Sequence, residues 1–283
     1  MILSFHPCIE ADVNMICAGR EPGEQEIAAI QSANAVIIPQ GCRESLYQIA
    51  KKNCRHVFPN YDMLFQYPGK IGQAKLFQKL NVPHPKTLCY DSIKDVDSLY
   101  KSPPFNYPFV FKLSWGGEGR NVFLVQSIQD FDMALDITKQ YEKSGQKGFL
   151  LQEYIHTNGK SLRVVIIGHQ IFSYWRIQSE NNGFYSNVAK GAKIDYHSNP
   201  HQQAEARKSL IQFCTKTGIN LAGFDFIFSE TDPKRIPLFL EINYFFGRKG
   251  LGGTDNYYKL LESSVKEWIK IADIKIKRNQ NTI

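Results

Sequence analysis

Hydrophobic residues follow two different periods along the chain, and the two alternate in its first part. Short apolar runs at residues 2–5 and 35–38 predict strands. Apolar residues at helical spacing, with acidic residues near the start, predict a helix over 22–32, and a second helical pattern covers 45–52. Strands that alternate with helices predict a small α/β domain over about the first 60 residues.

The remainder of the chain has more numerous apolar segments. A helix is predicted over 70–80, where it stops at the proline-rich segment 81–85. Further helical patterns cover about 128–141, 204–217 and 257–271. Apolar runs of strand length lie at 109–113, 121–126, 149–155, 162–167, 170–177, 223–228 and 237–243. This mixture predicts a domain of helices and strands in which several neighbouring strands form hairpins.

Composition restricts the classes of function. The chain has 283 residues, with 34 lysines and arginines against 27 acidic residues and a net charge of +7. The basic residues are dispersed, apart from a cluster over 275–278, so a site for small polyanions such as nucleotides or carboxylates is favoured over a nucleic-acid groove. No apolar run reaches the roughly 18 residues of a membrane span. The six cysteines form no CxxC pair, which favours reduced thiols in the cytoplasm over a metal knuckle or a disulfide scaffold.

Two acidic residues and an asparagine lie within the last two apolar strands, which flank a turn at Pro233. If this hairpin is symmetric about Pro233, Asp225 lies opposite Glu241. Asn243 then shares the face of Glu241, because side chains alternate along a strand. Oxygen ligands without histidine or cysteine suit a hard cation such as Mg²⁺. The alternative is a pair of exposed strand acids, or one acid paired with a lysine.

A lysine at the end of an apolar strand precedes a glycine-rich loop. Lys112 is followed by Gly116, Gly117 and Gly119. Glycines let backbone N–H groups approach an anion and a lysine adds a positive charge, so the loop could close over phosphates as a flap between two strands. The order differs from that of a P-loop, whose lysine follows the glycines, and an ordinary glycine-rich hairpin turn is the alternative.

Polar groups also lie along the strand over 149–155 and along the hairpin after it. The end of that strand, from Gln152 to Ile155, offers backbone N–H and C=O groups that could bind the edge of an adenine, with a plain core strand as the alternative. Arg163 and Arg176 lie on the two strands of the hairpin, either as substrate ligands or as solvated or salt-bridged residues.

The order of these motifs along the chain resembles that of the ATP-grasp superfamily, in particular the branch of ribosomal-protein glutamate ligase (RimK-like) and glutathione synthetase. The motifs are the lysine, the glycine flap, Gln-Glu-Tyr-Ile, an arginine, an asparagine, an aspartate and Glu-x-Asn. The resemblance implies an α+β ATP-grasp fold in which two α/β subdomains, over about 69–153 and 154–273, grip ATP. A small α/β N-terminal domain over 1–68 precedes them, and a basic tail over 274–283 follows.

The resemblance also implies roles for the matching residues. The nucleotide would be bound by Lys70, Lys112, Gly116, Gly117, Gly119, Gln152, Glu153, Tyr154, Ile155, Lys160 and Ser161. Among these, the two lysines and the glycines would contact phosphates, the residues from 152 to 155 would hold adenine, and the last two would lie near the ribose. The metal ligands would be Asp225, Glu241 and Asn243, and the acyl phosphate would be oriented by Arg163, Asn187 and Lys190.

The expected activity is that of an ATP-dependent carboxylate–amine ligase, which forms an amide bond through an acyl phosphate. It would use ATP with Mg²⁺, as two ions, or with Mn²⁺ in its place. The substrates would be a small-molecule or peptide carboxylate and an amine, which could be an amino acid. Membrane and nucleic-acid partners are not expected, a homo-oligomer is left open, and the expected compartment is the cytoplasm. A non-catalytic ATP-binding module of the same fold, with a regulatory or scaffolding role, is the alternative.

Three departures from the family pattern bear on the substrate. Ser161 stands where the family often has an acidic residue, and Lys190 stands where it has an arginine. After Asn243 the family tends to have a small residue and Pro-Gly, whereas this chain has Tyr-Phe-Phe-Gly. The sequence therefore leaves the acceptor substrate open.

Overall fold

The structure of the protein is a computed structural model that describes residues 1–96, 104–116, 121–178 and 191–280. For Asp95 and for residues 273–280 it describes the backbone only. Its strands form three separate sheets, and helices cover them, so the α+β class predicted from the sequence is confirmed. Among the residues described, no helix combines the length and the apolarity that crossing a bilayer requires.

The first sheet is parallel and built from short strands. Its elements are β1 (Ile2–Ser4), β2 (Val13–Asn14), α1 (Glu24–Ser32), β3 (Ala35–Ile37), α2 (Glu44–Asn53) and β4 (Val57–Phe58), with the strand order β2-β1-β3-β4. The two predicted strands and the two predicted helices are confirmed. β2 and β4 were not predicted, because a strand of two residues is too short to show a hydrophobic period.

The second sheet is antiparallel and is covered by a long helix. After α3 (Asp62–Gln66) and α4 (Gly69–Lys79) come β5 (Thr87–Tyr90), a 3₁₀ helix (Ile93–Val96), β6 (Phe109–Leu113), β7 (Val122–Val125), α5 (Ile128–Lys143) and β8 (Phe149–Glu153), with the strand order β5-β8-β6-β7. The helix α5 begins after Ser127, whose Oγ accepts a hydrogen bond from the N–H of Asp130. Phe111 stacks on Phe149 within the core beneath α5, with ring centroids 4.9 Å apart.

The third sheet is antiparallel and lies between two helices. Its elements are β9 (Lys160–Ile167), β10 (Gln170–Ile177), β11 (Lys193–Asp195), α6 (Pro200–Thr217), β12 (Leu221–Ile227), β13 (Leu238–Asn243), a 3₁₀ helix (Lys249–Leu251) and α7 (Thr254–Gln280), with the strand order β11-β10-β9-β12-β13. Side chains of β9 alternate between two cores, so that Val164 packs toward α6 and Val165 toward α7. The runs at 162–167 and 170–177 form one of the predicted hairpins, and Gly168 in its turn has a φ of +61°.

Two helices are longer than predicted. α6 begins at Pro200, a residue well suited to a first helical turn because its missing N–H needs no partner there. α7 extends to Gln280, so the segment from 274 to 280, predicted as a separate tail, continues the helix.

The helix α4 joins the second sheet to the third. Nε2 of Gln73 donates to the carbonyl of Ile242 at 2.8 Å, and the N–H of Ile242 donates to Oε1 of Gln73 at 2.9 Å. The N–H of Phe239 donates to the carbonyl of Pro83 at 2.8 Å. These bonds give hydrogen-bond partners to backbone groups on the outer edge of β13 and hold this strand beside the second sheet. A cleft therefore lies between the second and third sheets.

Candidate active site

A cleft lies between the second sheet and β13, and residues of both line it. Its wall combines apolar side chains with lysines, amides and a carboxylate. The lining residues are Lys70, Gln73, Ala74, Phe77, Thr87, Lys112, Leu150, Gln152, Leu240 and Glu241. A ligand with an apolar ring system and a strongly anionic part matches this lining.

The hairpin of β12 and β13 has the predicted register at its acidic residues. Asp225 pairs with Glu241, and Gly223 pairs with Asn243. A β-bulge directly after Asp225 shifts the register by one residue in the rest of the hairpin. Paired residues of antiparallel strands point to the same face, so the two carboxylates and the amide of Asn243 share one face of the sheet.

Asp225 is neutralised by two arginines. Arg163 lies opposite it on β9 and donates to its carboxylate through both Nε and Nη2, the latter at 3.0 Å. Nη2 of Arg176 lies 2.9 Å from Oδ1, and Nδ2 of Asn243 donates to Oδ2 at 3.2 Å. Burial opposes ionisation of Asp225, but the two arginines outweigh it and hold the pKa of the carboxyl below its ordinary value. Asp225 is therefore charged at neutral pH, and both of its oxygens have partners.

Glu241 has different surroundings. It is half-buried and lines the cleft. Its negative charge favours the protonated forms of Lys70 and Lys112, whereas burial has the larger effect and lowers both pKa values. Among the described residues, no cationic side chain lies within salt-bridge distance of its carboxylate. Glu241 is therefore the carboxylate of this pair that can bind an incoming cation.

Among the residues that the structure describes, cationic side chains outnumber the carboxylates around this site. The cations are Lys70, Lys112, Arg163 and Arg176, and the carboxylates are Asp225 and Glu241. This excess disfavours a bare divalent cation and favours one that arrives with an anionic partner. Mg²⁺ commonly binds through one or two carboxylates together with substrate phosphates, and the predicted oxygen ligands fit such a metal. Within the described part of the chain, no group of three or more His, Cys, Asp or Glu side chains could hold a metal ion.

Both lysines line the cleft, and Lys70 lies close enough to Lys112 for the two charges to repel each other. Lys112 is only 9% exposed, and burial lowers its pKa to about 8, despite the nearby charge of Glu241. Lys70 lies in the first turn of α4 and donates from Nζ to the carbonyl of Gly116 at 2.6 Å. Burial lowers its pKa as well. Because desolvated ammonium groups gain most from an anionic partner, these lysines favour phosphate binding here.

Some predicted site residues lie outside the described residues, namely Gly117, Gly119, Asn187 and Lys190. Gly116, at the start of the glycine loop, has a φ of +100°, and a Cβ there would lie 2.3 Å from Nδ2 of Asn121. The same Nδ2 donates to the carbonyl of Trp115 at 2.7 Å. The first residue of the loop therefore requires glycine.

The residues predicted to hold adenine lie at the end of β8. Gln152 lines the cleft, and its Nε2 donates at 2.8 Å to the hydroxyl of a threonine on β5. The N–H of Glu153 donates to the carbonyl of Lys86 at 2.9 Å, so it already has a partner within the protein. Tyr154 and Ile155 follow the strand and are half-buried.

The residues predicted near the ribose begin β9. Lys160 is half-buried, whereas Ser161 is only 1% exposed. Oγ of Ser161 accepts from Nε and Nη2 of Arg176 at 3.1 and 2.8 Å. Ser161 thereby helps to hold the guanidinium of Arg176 beside the carboxylate of Asp225. Both arginines of the hairpin are salt-bridged, which is one of the alternatives that the sequence left open.

Sequence reasoning missed Gln73, whose amide fixes the strand that carries Glu241. It lies three residues after Lys70, and residues at this spacing share one face of a helix. A polar residue one turn beyond a predicted phosphate-binding lysine was the signal that could have revealed it.

The substitution Gln73→Leu is expected to destabilise the protein by about 1–3 kcal/mol, because the N–H and C=O of Ile242 lose their partners. The measurement is unfolding in urea. Gln48→Leu, at an exposed position of α2, is the matched control and should change stability by less than about 0.5 kcal/mol. Equal stability of the two variants would show that the contacts of Gln73 contribute nothing.

Comparison with known proteins identifies the architecture. A family model described as the RimK-like ATP-grasp domain matches residues 69–263. The chain is 28% identical over 189 residues to a probable alpha-L-glutamate ligase of Legionella pneumophila (strain Corby), and 28% identical over 183 residues to one of Parasynechococcus marenigrum (strain WH8102). The matches cover 66% and 64% of this chain but 58% and 37% of those relatives. The chain thus spans less than two thirds of their length.

Solved structures share the fold at low sequence identity. The RimK domain protein ATP-grasp from Sphaerobacter thermophilus has a TM-score of 0.59 and 14% identity, over 82% of this chain and 81% of that one. The VanG D-Ala:D-Ser ligase from Enterococcus faecalis has a TM-score of 0.62 and 14% identity, over 83% and 73% of the two chains. These likenesses concern the fold alone, and they confirm the predicted ATP-grasp fold.

Proposed function

The chain belongs to the RimK-like ATP-grasp family, and from this premise we propose that it is an ATP-dependent carboxylate–amine ligase. In this reaction the γ-phosphoryl group of ATP is transferred to a substrate carboxylate. An amine then attacks the acyl phosphate, forming an amide and releasing phosphate, and its surplus proton passes to solvent. The family implies the use of ATP and a divalent metal. The choice of Mg²⁺ over Mn²⁺ and the binding of two ions are parts of the proposal.

The charge pattern of the cleft is the observation that carries this proposal. Among the described residues, four cations accompany two carboxylates around this site, so the site attracts an anion such as a nucleoside triphosphate. Lys112 on the second sheet and Glu241 on the third sheet line the same cleft. A ligand that binds both residues would hold the two sheets together around its phosphates.

The described residues have roles that their surroundings support. Bound Mg²⁺ would neutralise charge on the β- and γ-phosphates, held by Glu241 and Asn243 with Asp225. Lys112 and Lys70 would stabilise the negative charge that shifts as the phosphoryl group moves to the substrate. The roles of Arg163, of the undescribed Gly117, Gly119, Asn187 and Lys190, and of the adenine and ribose residues stay as predicted from the sequence.

A non-catalytic ATP-binding module is the second candidate, and it is favoured by one observation. The oxygens of Asp225 are engaged by two arginines, as in a purely structural ion cluster. The discriminating experiment incubates the protein with Mg-ATP and panels of carboxylates and amines, and follows phosphate release with mass-spectrometric detection of new amides. Release that depends on both substrates supports the ligase. Tight binding of Mg-ATP in calorimetry without any release supports the module.

Lys112→Met is expected to weaken Mg-ATP binding by about 10- to 150-fold, because hydrogen bonds to a charged group contribute about 1.5–3 kcal/mol. Since the pKa of Lys112 is about 8 in the free protein, the wild-type affinity should also decline as the pH rises through 8, where the ammonium group loses its proton. Calorimetric titration with Mg-ATP between pH 6.5 and 9.5 measures both effects.

Lys208→Met, at an exposed position of α6, is the control and should bind as the wild type does. The decline near pH 8 should be absent in Lys112→Met. A Lys112→Met protein that keeps wild-type affinity and pH profile would remove this lysine from the nucleotide site.

A further inference from the structure

The carboxyl edge of the first sheet forms a second candidate site, outside the cleft. All four strands are parallel, and β1 and β3 are neighbours at the centre of the sheet. After β1 the chain continues to β2 on one side of this central pair, and after β3 it continues to β4 on the other side. In open α/β sheets, ligands bind in the crevice beyond the carboxyl ends of two such strands. His6 follows β1 and Gln40 follows β3, so these residues border the crevice.

The segment between β13 and α7 covers this edge and connects it to the reaction site. Nε2 of Gln40 donates to the carbonyl of Tyr244 at 3.0 Å, and the hydroxyl of Tyr257 donates to Oε1 of Gln40 at 2.7 Å. A Cβ on Gly223 would lie 3.1 Å from Cβ of Phe246 and 3.0 Å from Nη1 of Arg163. The segment therefore passes directly over the arginine that binds Asp225.

Arg248 of this segment is a cation that two aromatic rings hold in place. Its guanidinium carbon lies 4.5 Å from the ring centroid of Tyr257 and 4.6 Å from that of Tyr258. The side chain is half-buried, and within the described residues no carboxylate lies within salt-bridge distance of it. Two rings fix the guanidinium plane while its N–H donors stay available, which suits bidentate binding of a carboxylate.

His6 adds an uncharged donor beside this arginine. It is only 9% exposed, and burial together with the charge of Arg248 lowers its pKa to about 4, so it is neutral at pH 7. The N–H of Cys8 donates to Nδ1 at 3.1 Å, and the ring proton therefore lies on Nε2. The ring packs edge-on against Tyr258, with centroids 6.0 Å apart. A single guanidinium with a neutral donor matches one carboxylate better than a phosphate dianion.

We propose that Arg248, assisted by His6, binds the carboxylate of an amino acid, and that this amino acid is the amine substrate of the reaction. The assignment of the amino acid as a substrate rests on the proposed ligase function, whereas the carboxylate site itself does not. The activated carboxylate must lie in the other cleft, near Lys112, so the carboxylate at Arg248 is one that does not react. A polyamine would place its positive charges against Arg248 and is excluded as the amine substrate.

Binding is tested first, in the absence of ATP, by saturation-transfer NMR. The probes are free amino acids, among them glutamate, alanine and phenylalanine, and the same amino acids as C-terminal amides, which lack the carboxylate charge. At least one free amino acid should bind at least tenfold more tightly than its amide. Arg248→Met should lose about 10- to 150-fold in affinity for it, and Arg248→Lys should lose less.

Lys249→Met is the matched control, because Lys249 is an exposed cation that directly follows Arg248 in the chain. It should bind amino acids as the wild type does, and thermal unfolding should show that all three variants are folded. Equal binding of amino acids and amides overturns the proposal, as does undiminished binding by Arg248→Met. Failure of every free amino acid in the panel to bind also overturns it.

Phosphate release from Mg-ATP, measured with the same probes and a polyamine as amines and with the panel of carboxylates as the other substrate, separates the two hypotheses. Amino acids that bind at Arg248 without any turnover would contradict the ligase function and leave the carboxylate site standing. Turnover that prefers amides or polyamines would overturn the role of Arg248 and leave the ligase standing. If both hypotheses hold, Arg248→Met raises KM for the amino acid at least tenfold with little change in KM for ATP.

Discussion

Replacing Glu241 by glutamine is expected to reduce ATP-dependent turnover by about 10²–10³-fold while the protein stays folded. Losses of this size are typical when a group that stabilises developing charge is removed. Glutamine keeps the shape of the side chain and removes the charge that faces Lys70 and Lys112 across the cleft. Because the oxygens of Asp225 already have partners, Glu241 is the carboxylate on which the metal chiefly depends.

The measurement is the rate of phosphate release at several Mg²⁺ concentrations, with any acceptor pair that supports turnover. Glu241→Gln should require more Mg²⁺ to reach half of its residual rate. Glu267→Gln, at an exposed position of α7, serves as the control and should not change the rate. Wild-type turnover by Glu241→Gln at limiting Mg²⁺ would contradict the metal assignment.

The position of Glu241 was predictable because the information lies within one hairpin. A turn at Pro233 and the alternation of side chains suffice to place Asp225 opposite Glu241, and the structure has this pair. The bulge after Asp225 was not predictable, because the regular alternation of a symmetric hairpin contains no signal for an extra residue in one strand. It leaves the acidic pair unaffected, since the register shifts only on the side of the turn.

The ion cluster around Asp225 was not predictable, because it depends on pairing between distant parts of the chain. Arg163 meets Asp225 only because β9 pairs with β12, across 62 positions of sequence. Arg176 reaches the same carboxylate from β10, supported by Ser161. Each residue taken alone is compatible with an exposed position, and the sequence contains no local signal of the pairing. The resemblance to a family supplied roles for three of these residues but not their contacts with one another.

Asp225→Asn is expected to lower the free energy of unfolding by about 3–5 kcal/mol, the usual cost of removing one partner from a buried ion cluster. Arg163 and Arg176 are each less than 10% exposed, and without the carboxylate two positive charges would be buried without compensation. Unfolding in urea at pH 7 measures the loss. Asp132→Asn, at an exposed position of α5, is the control and should change stability by less than about 0.5 kcal/mol.

The pH dependence gives this prediction a second test. The pKa of Asp225 is lower in the folded protein than in the unfolded chain, so its stabilisation is present above the unfolded pKa and is lost as the pH falls through the folded one. The wild type should therefore approach the stability of Asp225→Asn in acid, and the two should differ most near neutral pH.

A double substitution tests the cause directly. Adding Arg176→Met to Asp225→Asn removes one of the two uncompensated charges, so the double variant should be more stable than the sum of the single effects predicts, by at least about 0.5 kcal/mol. Strict additivity would mean that Arg176 and Asp225 are energetically independent despite the 2.9 Å between them. In that case the loss of stability in Asp225→Asn would come from Arg163 and Asn243, which also donate to this carboxylate.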